Sequence, residues 1–83
     1  IKLYELSANQ GNPDAQFNLG NIYFDGENGI EKDIPKAIKF LGLSANKGNS
    51  MAQYNLGNIY FDGENGIKKD IPKAIKFLEL SAN

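Results

Sequence analysis

The sequence "NLGNIYFDGENGIEKDIPKAIKFLGLSAN" at residues 18–46 decides the fold, because the chain contains it almost twice. A shift of 37 residues aligns it with residues 55–83, and 27 of the 29 aligned positions are identical. The two differences are Glu31 against Lys68 and Gly42 against Glu79. The opening "IKLYELSAN" aligns in the same way with "IKFLGLSAN" at 38–46. A repeat of this length with helical periodicity is typical of a solenoid, in which each unit packs on its neighbours.

The first half of each unit predicts a helix, at 13–24 and again at 50–61. Apolar side chains recur there on one helical face, namely Ala15, Leu19, Ile22 and Tyr23. Phe17 and Phe24 lie on the opposite face, so we expect this helix to be sandwiched between neighbours. Gly20 falls in mid-helix, where glycine costs about 1 kcal/mol relative to alanine. We therefore expect a neighbouring helix backbone to approach closely at Gly20 and at its copy Gly57.

The second half of each unit predicts a helix at 34–47 and at 71–83. Asp33 is expected to be the N-cap, and Pro35 lies in the first turn, where its missing N–H has no cost. Gly48 is expected to end the helix as the C′ residue. The buried stripe of this helix is predicted to comprise Ala37, Phe40, Leu41, Ser44 and Ala45.

The predicted fold class is all-α, a right-handed α/α solenoid of antiparallel helix pairs. The chain holds about two and a quarter repeats of 37 residues and five helices. We expect one solenoid fragment over 1–83, in which 1–11 are the tail of a preceding repeat, 12–48 the first repeat and 49–83 the second.

Composition excludes several classes of function. Of the 83 residues, 41% are hydrophobic and 23% are charged, as in a globular chain. The formal net charge is −1 with lysines and acids interleaved, so no nucleic-acid surface is expected. Cysteine and histidine are absent, which excludes disulfides, thiolate chemistry and the usual zinc or copper ligands. No apolar run is long enough for direct membrane insertion. We expect no cofactor, and none of these features determines the compartment.

The two ends of the sequence interrupt the repeat. The chain opens at Ile1 within a helical pattern and closes at Asn83, before the glycine expected after the last helix. We therefore expect a piece of a longer repeat array. Terminal repeats of solenoids need polar caps, and without them the sequence predicts exposed apolar faces at both ends and self-association through these ends.

The loop "FDGENGI", at 24–30 and 61–67, is rich in oxygen-bearing side chains and raises the question of a metal site. A calcium loop needs oxygen ligands at its positions 1, 3 and 5 and a bidentate glutamate at position 12. Counted from the first aspartate, position 5 is a glycine and position 12 is a lysine. Asn28 and Gly29 instead favour positive φ, and Gly26 is suited to ending the first helix. We predict a turn that binds no metal.

Two patterns raise the alternative of an enzyme. Ser44 and Lys47 have the S-x-x-K spacing of penicillin-binding proteins and β-lactamases, but the S-D-N and K-T-G elements of those enzymes are absent. A general acid would need a carboxyl group in an apolar pocket that raises its pKa. The acidic residues here lie instead among glycines in a solvated turn, namely Asp25, Glu27, Glu31 and Asp33. No catalytic residue is predicted.

The segment "AQFNLGNIYFDGENGIEKDIPKAIKFLGLSANKGN" at 15–49 resembles a Sel1-like repeat, an α/α-solenoid relative of the tetratricopeptide repeat. The resemblance covers essentially the whole chain. A plain tetratricopeptide repeat fits less well, because its period is about 34 residues. Two positions depart from the family pattern: Phe40, where tryptophan is frequent, and Ser44, where alanine is frequent. The matching positions are Ala15, Leu19, Gly20, Tyr23, Gly26, Gly29, Asp33, Lys36, Ala37, Ala45 and Gly48, with copies at Ala52, Leu56, Gly57, Tyr60, Gly63, Gly66, Asp70, Lys73, Ala74 and Ala82.

The resemblance implies a non-catalytic protein–protein interaction module, an adaptor or scaffold that binds a partner polypeptide on its repeat surface. Proteins of this kind serve in assembly, signalling, membrane-associated complexes and host interaction. Two alternatives stay open. One is an enzyme or enzyme regulator of cell-wall or β-lactam chemistry, which some bacterial members suggest. The other is a passive spacer between functional domains.

The family often uses the inner curve of the solenoid for partners, and this implies a binding surface on the first helix of each unit. A mid-helix asparagine has low helix propensity, and its amide is able both to donate to and to accept from a peptide backbone. The alternative is that Asn18 and Asn21 bond to neighbouring helices within the solenoid. Projection along the helices places on the inner curve Asp14, Phe17, Asn21, Phe24 and Asp25, followed by Met51, Tyr54, Asn58, Phe61 and Asp62.

Overall fold

The computed structural model of the chain describes residues 2–27, 29–63 and 65–83. Helices α2 and α3 form one hairpin and α4 and α5 form the next, while α1 packs on α2 and α3 packs on α4. The described residues contain no strand, and the predicted all-α solenoid of helix pairs is confirmed. Each of the four predicted helices differs from the observed one by one residue at its C-terminal end. The five helices are α1 (Lys2–Asn9), α2 (Pro13–Asp25), α3 (Ile34–Asn46), α4 (Ser50–Asp62) and α5 (Ile71–Ala82).

Side-chain caps set the starts of the helices. The carboxylate of Asp33 accepts a hydrogen bond from the backbone N–H of Lys36 at 3.1 Å, so the predicted N-cap of α3 is confirmed. Asp70 does the same for α5. Asparagines cap the other two long helices: Asn12 for α2 and Asn49 for α4. Each cap satisfies one of the N–H groups that a helix start leaves without a partner.

Glycines at positive φ end the helices. Gly48 has φ +93°, and its N–H donates to the carbonyl of Ala45 at 3.0 Å. The N–H of Asn49 then donates to the carbonyl of Ser44 at 3.2 Å. This pair of bonds is a Schellman motif, which confirms Gly48 as the C′ residue. Gly26 has φ +72° and donates to the carbonyl of Ile22, so it ends α2 as expected.

The interhelical loop turns the chain and is held to the preceding helix by its backbone. The N–H of Asp33 donates to the carbonyl of Tyr23 at 2.8 Å, and the same bond recurs in the second repeat at 2.9 Å. In the second copy of the loop, Asn65 has φ +58° and Gly66 has φ +80°, as the asparagine–glycine pair predicts. In the first copy the predicted turn includes Asn28, which lies outside the described residues.

The core consists of two clusters on opposite sides of α3. Phe40 packs within its own hairpin against Ala15 and Leu19 of α2, and its ring stacks on that of Tyr23 with centroids 6.1 Å apart. Leu41 and Ala45 also meet the next repeat, where they pack against Ala52 and Leu56 of α4. The predicted stripe of α3 is confirmed, since its buried residues are Ala37, Phe40, Leu41, Ser44 and Ala45.

Gly20 allows the two helices of a hairpin to approach each other. A Cβ atom on Gly20 would lie 2.8 Å from Cγ of Leu41 and 3.2 Å from its backbone nitrogen. The expected close approach is therefore present, but the nearest atoms belong to a leucine side chain and not to backbone. Gly57 is placed in the same way against Leu78.

One buried hydrogen bond recurs at both junctions between repeats. Nε2 of Gln16 donates to the carbonyl of Ala8 at 3.1 Å, and Nε2 of Gln53 donates to the carbonyl of Ala45 at 3.1 Å. Both carbonyls lie near the C-terminal end of a helix, and each also accepts the backbone N–H of the glycine that follows the helix, Gly11 or Gly48. The glutamine therefore joins each first helix to the end of the helix before it.

Apolar side chains are exposed on the first and last helices. On α1, Leu3 is 82% exposed whereas its copy Phe40 is 8% exposed, and on α5 Ile75 is 49% exposed whereas its copy Ile38 is partly buried. The predicted exposed apolar faces are thus present on the two outermost helices.

Candidate functional site

A groove of about 460 Å³ lies between the first helices of the two repeats, α2 and α4. Its apolar lining comes from three helices, with Phe24 from α2, Leu41 from α3 and Ile59 from α4. The volume falls within the range of about 300–1,000 Å³ that is usual for binding pockets. The polar part of the lining comprises three amides on the helices, two carboxylates and a loop amide, namely Asn21, Asn55, Asn58, Asp25, Asp62 and Asn65.

An asparagine pair crosses the groove from helix to helix. Nδ2 of Asn55 donates to Oδ1 of Asn21 at 3.2 Å, and both side chains are partly buried. For Asn21, the structure therefore supports the alternative of a bond within the solenoid. Asn58 is its copy in the next repeat, is half-buried, and has no side-chain hydrogen bond among the residues that the structure describes. Its amide donors and acceptor remain open to a ligand in the groove.

The carboxylates stand at one end of the groove. Asp25 and Asp62 are the last helical residues of α2 and α4, and both are exposed. The C-terminal end of a helix carries partial negative charge and disfavours an acidic side chain. Neither helix has a basic residue in its last turn to balance this charge. The end of the groove is thus negative, and it favours a positively charged group.

Five of the ten residues predicted for the inner curve line this groove, namely Asn21, Phe24, Asp25, Asn58 and Asp62. The other five do not. Oδ1 of Asp14 accepts a long hydrogen bond of 3.4 Å from Asn49, and Phe17 packs against the core cluster between the repeats. The remaining three are more than half exposed outside the groove, namely Met51, Tyr54 and Phe61.

Sequence reasoning missed four lining residues, namely Leu41, Asn55, Ile59 and Asn65. One signal was available for Asn55, because it is the copy of Asn18, which stands one turn before Asn21 on a helix with few polar positions. Leu41 was predicted only as core, where it is 1% exposed, and it forms the floor of the groove as well.

The enzymatic alternatives find no support in the geometry. Ser44 is fully buried, and its hydroxyl donates to the carbonyl of Pro13 at 2.7 Å, so the S-x-x-K serine does not face a substrate. Within residues 2–27, 29–63 and 65–83 there is no group of three or more acidic side chains that could hold a metal ion.

The family model of the Sel1 repeat matches the chain in three consecutive segments, residues 1–12, 13–49 and 50–83. The chain belongs to the Sel1 repeat family. Two solved structures of Sel1 repeat proteins share its fold. One is the Sel1 repeat protein from Oxalobacter formigenes, with a TM-score of 0.84 and 33% identity over 95% of this chain. The other is c5321, a protective antigen present in uropathogenic Escherichia coli strains that displays an SLR fold, with a TM-score of 0.88 and 34% identity over 95% of this chain.

The chain spans only part of these proteins, 58% of the first and 16% of the second. Among curated proteins none matches the chain. Proteins built of Sel1 repeats mediate protein–protein interactions, and the repeat is typically a non-catalytic module. None of the described helices is long and apolar enough to cross a membrane.

Proposed function

We propose that this Sel1 repeat chain is a non-catalytic adaptor or scaffold module that binds a partner polypeptide in the groove between α2 and α4. The observation that carries the proposal is the groove itself, which combines an apolar lining from Phe24, Leu41 and Ile59 with the amide of Asn58 and with two carboxylates at one end. The backbone of an extended peptide offers both an acceptor and a donor to the amide of Asn58.

The groove also specifies the chemistry of the partner. Phe24, Leu41 and Ile59 form an apolar floor that accepts an apolar side chain. The carboxylates of Asp25 and Asp62 stand at helix C-terminal ends and favour a lysine or arginine. We therefore expect an extended segment in which an apolar residue and a basic residue are close in sequence.

A selection from a displayed library of random peptides tests this expectation. The selected peptides are synthesised and titrated against the chain by fluorescence anisotropy at low chain concentration. We expect enrichment of lysine or arginine beside an apolar residue, and an affinity that falls as salt is raised, because exposed charge pairs are screened by ions. Selection of acidic or purely apolar peptides would contradict the proposal.

Substitutions in the groove test whether the peptide binds there. Asn58→Ala removes the free amide and is expected to weaken binding about tenfold, the equivalent of one or two hydrogen bonds. The double substitution Asp25→Asn and Asp62→Asn removes two exposed charge pairs with the peptide. It should weaken peptide binding by a factor of about 2 to 30, and the factor should be smaller at high salt. The matched control is Glu79→Gln, an exposed acid on α5 outside the groove. Equal binding by all of these variants would move the site elsewhere.

The predicted residues outside the groove stay part of the proposal as contacts for a longer partner. Tyr54 is the most informative of them, because it is 55% exposed on α4 and its replacement leaves the described core contacts intact. If Tyr54→Ala weakens a selected peptide, the surface extends past the groove toward Asp14, Phe17, Met51 and Phe61. If no polypeptide binds the chain at all, the spacer hypothesis accounts better for the repeat.

A further inference from the structure

The loop between α4 and α5 carries an asparagine–glycine pair at the groove. Asn65 has φ +58° and Gly66 has φ +80°, and both residues are exposed. Asn65 belongs to the lining of the groove, together with Asp62, the last residue of α4, and Asp25 of α2. The same lining thus contains two carboxylates and one neutral amide from the loop.

The surroundings of this pair leave both of its amide groups accessible. Among the described residues, the side chain of Asn65 has no hydrogen-bond partner, and the backbone N–H of Gly66 donates to none. Apart from its chain neighbours, no described atom lies within 4 Å of the position that a Cβ atom of Gly66 would take. Because glycine also has no side chain of its own, its backbone nitrogen is not shielded.

The two groups have the chemistry for a reaction with each other. The backbone nitrogen of Gly66 attacks Cγ of Asn65, the bond from Cγ to Nδ2 breaks, and Nδ2 leaves as ammonia with the amide proton of Gly66. Water then opens the cyclic imide. Opening at Cγ gives aspartate, and opening at the main-chain carbonyl gives isoaspartate, in which the main chain runs through the former side chain. Either product carries a carboxylate in place of the neutral amide.

We propose that Asn65 is a site of spontaneous deamidation, and that this reaction adds a third carboxylate to the groove beside Asp25 and Asp62. The groove of a molecule then becomes more acidic with age, and its preference for a basic partner increases. The effect on peptide binding rests on the proposed function, whereas the modification itself does not.

The helices on both sides of the loop do not depend on this pair. The N–H of Gly63 donates to the carbonyl of Ile59, and the N–H of Asp70 donates to the carbonyl of Tyr60, both at 2.9 Å. Neither bond involves residues 65 and 66. Aspartate also tolerates a positive φ much as asparagine does. The reaction therefore changes the charge of the loop without breaking the described bonds that hold it.

The other asparagines of the second repeat provide comparisons within the chain. Asn49 is the N-cap of α4, and its side chain accepts a backbone N–H at 2.9 Å. Asn55 and Asn58 lie within α4, where the N–H of the following residue is engaged in the helix. In the whole sequence only Asn28 and Asn65 are followed by glycine.

Peptide mapping by tandem mass spectrometry tests the modification after incubation of the folded 83-residue chain. Trypsin cleaves after lysine and releases residues 48–68 as one peptide, which contains Asn49, Asn55, Asn58 and Asn65. We expect the mass increase of deamidation at Asn65 first, and faster at higher pH, because the deprotonated nitrogen attacks. A sample digested without incubation gives the background. An unmodified Asn65, or modification of Asn58 at the same rate, would overturn the proposal.

Two variants test the effect on the groove with the basic peptides selected above. Asn65→Asp copies one product and should bind about 1.4 to 5 times more tightly than the unmodified chain at low salt, the equivalent of one exposed charge pair. The gain should shrink as salt is raised. Asn65→Gly keeps the positive φ but has no amide to lose, so its affinity should not change during incubation, whereas that of the original chain should rise.

The outcomes separate the modification from the proposed function. If Asn65→Asp binds the peptides no more tightly than the unmodified chain, the effect on the groove is refuted. If the selection yields no peptide, the proposed function fails, and the mass spectra still decide whether Asn65 is deamidated.

Discussion

Replacement of Gly20 by alanine should destabilise the chain, although Gly20 lies in the middle of a helix. A helix interior favours alanine over glycine by about 1 kcal/mol, so helix propensity alone predicts a more stable protein. The added Cβ atom, however, would lie 2.8 Å from Cγ and 2.9 Å from Cδ2 of Leu41 and 3.2 Å from its backbone nitrogen. Leu41 is 1% exposed and is packed against the next repeat, and a movement of its side chain would not relieve the contact with its backbone nitrogen.

The higher helix propensity of alanine stabilises the variant and the contact with Leu41 destabilises it, so the larger of the two free energies decides the change in stability. Overpacking a well-packed core costs about 1–3 kcal/mol, and the propensity gain of about 1 kcal/mol offsets only part of it. We expect Gly20→Ala to lower the free energy of unfolding by about 1 kcal/mol. For a chain of this size, that corresponds to a fall of about 4–8 °C in Tm.

Two other glycines provide matched controls within the same molecule. Gly42 lies within α3 with no atom within 4 Å of its Cβ position, so Gly42→Ala should raise the stability by about 1 kcal/mol. Gly57 meets Leu78 at 2.6 Å, but Leu78 is only half-buried on the outer helix and is able to move. The free energy of unfolding of Gly57→Ala should therefore lie between those of Gly20→Ala and Gly42→Ala, although the added Cβ atom makes a shorter contact.

Thermal unfolding followed by circular dichroism at 222 nm, together with urea titration, measures all three variants at low chain concentration. A double-mutant cycle with Leu41→Ala then isolates the contact, because without the leucine side chain Gly20→Ala should lose most of its cost. A Gly20→Ala protein as stable as Gly42→Ala would refute the reasoning, since the Leu41 side chain would then accommodate a methyl group without loss.

Three further variants test individual hydrogen bonds of the fold, each by urea unfolding. Ser44→Ala removes the buried hydroxyl that donates to the carbonyl of Pro13 and should cost about 1 kcal/mol; unchanged stability would mean that this bond contributes nothing to the folded state. Gln53→Met keeps the size of the side chain but removes the buried bond to the carbonyl of Ala45, and should cost about 1 kcal/mol, because that carbonyl keeps its bond from the N–H of Gly48. Asp33→Ala removes the N-cap of α3 and should cost about 1 kcal/mol, whereas Asp33→Asn should be nearly neutral because asparagine caps equally well.

Local chemistry explains why the helices could be predicted. Asp33 and Gly48 set the ends of α3 through bonds to residues no more than five positions away, and such bonds depend little on the rest of the molecule. The asparagine caps at Asn12 and Asn49 obey the same rule, because each accepts from the backbone N–H three residues later.

The groove required the tertiary structure. Asn21 meets Asn55, a residue 34 positions later, although the repeat period is 37. That offset arises from the way in which α4 is shifted along α2 when the repeats stack, and periodicity within one helix does not contain it. For the same reason the projection of single helices did not show that Phe17 packs against the core cluster between the repeats.

The sequence by itself determined the helix pairs, their caps, the buried stripe of α3 and membership in a repeat family, because these depend on neighbours in the chain and on a duplication that is visible letter by letter. Only the tertiary structure decided which copies of a repeated residue are buried or hydrogen-bonded and which are exposed or have no bonding partner. Asn21 and Asn58 are identical in their local sequence, as are Leu41 and Leu78, yet the first of each pair is covered by a following repeat and the second is not. Identical residues differ here because burial and pairing depend on what packs against a helix, and each copy of the repeat has different neighbours.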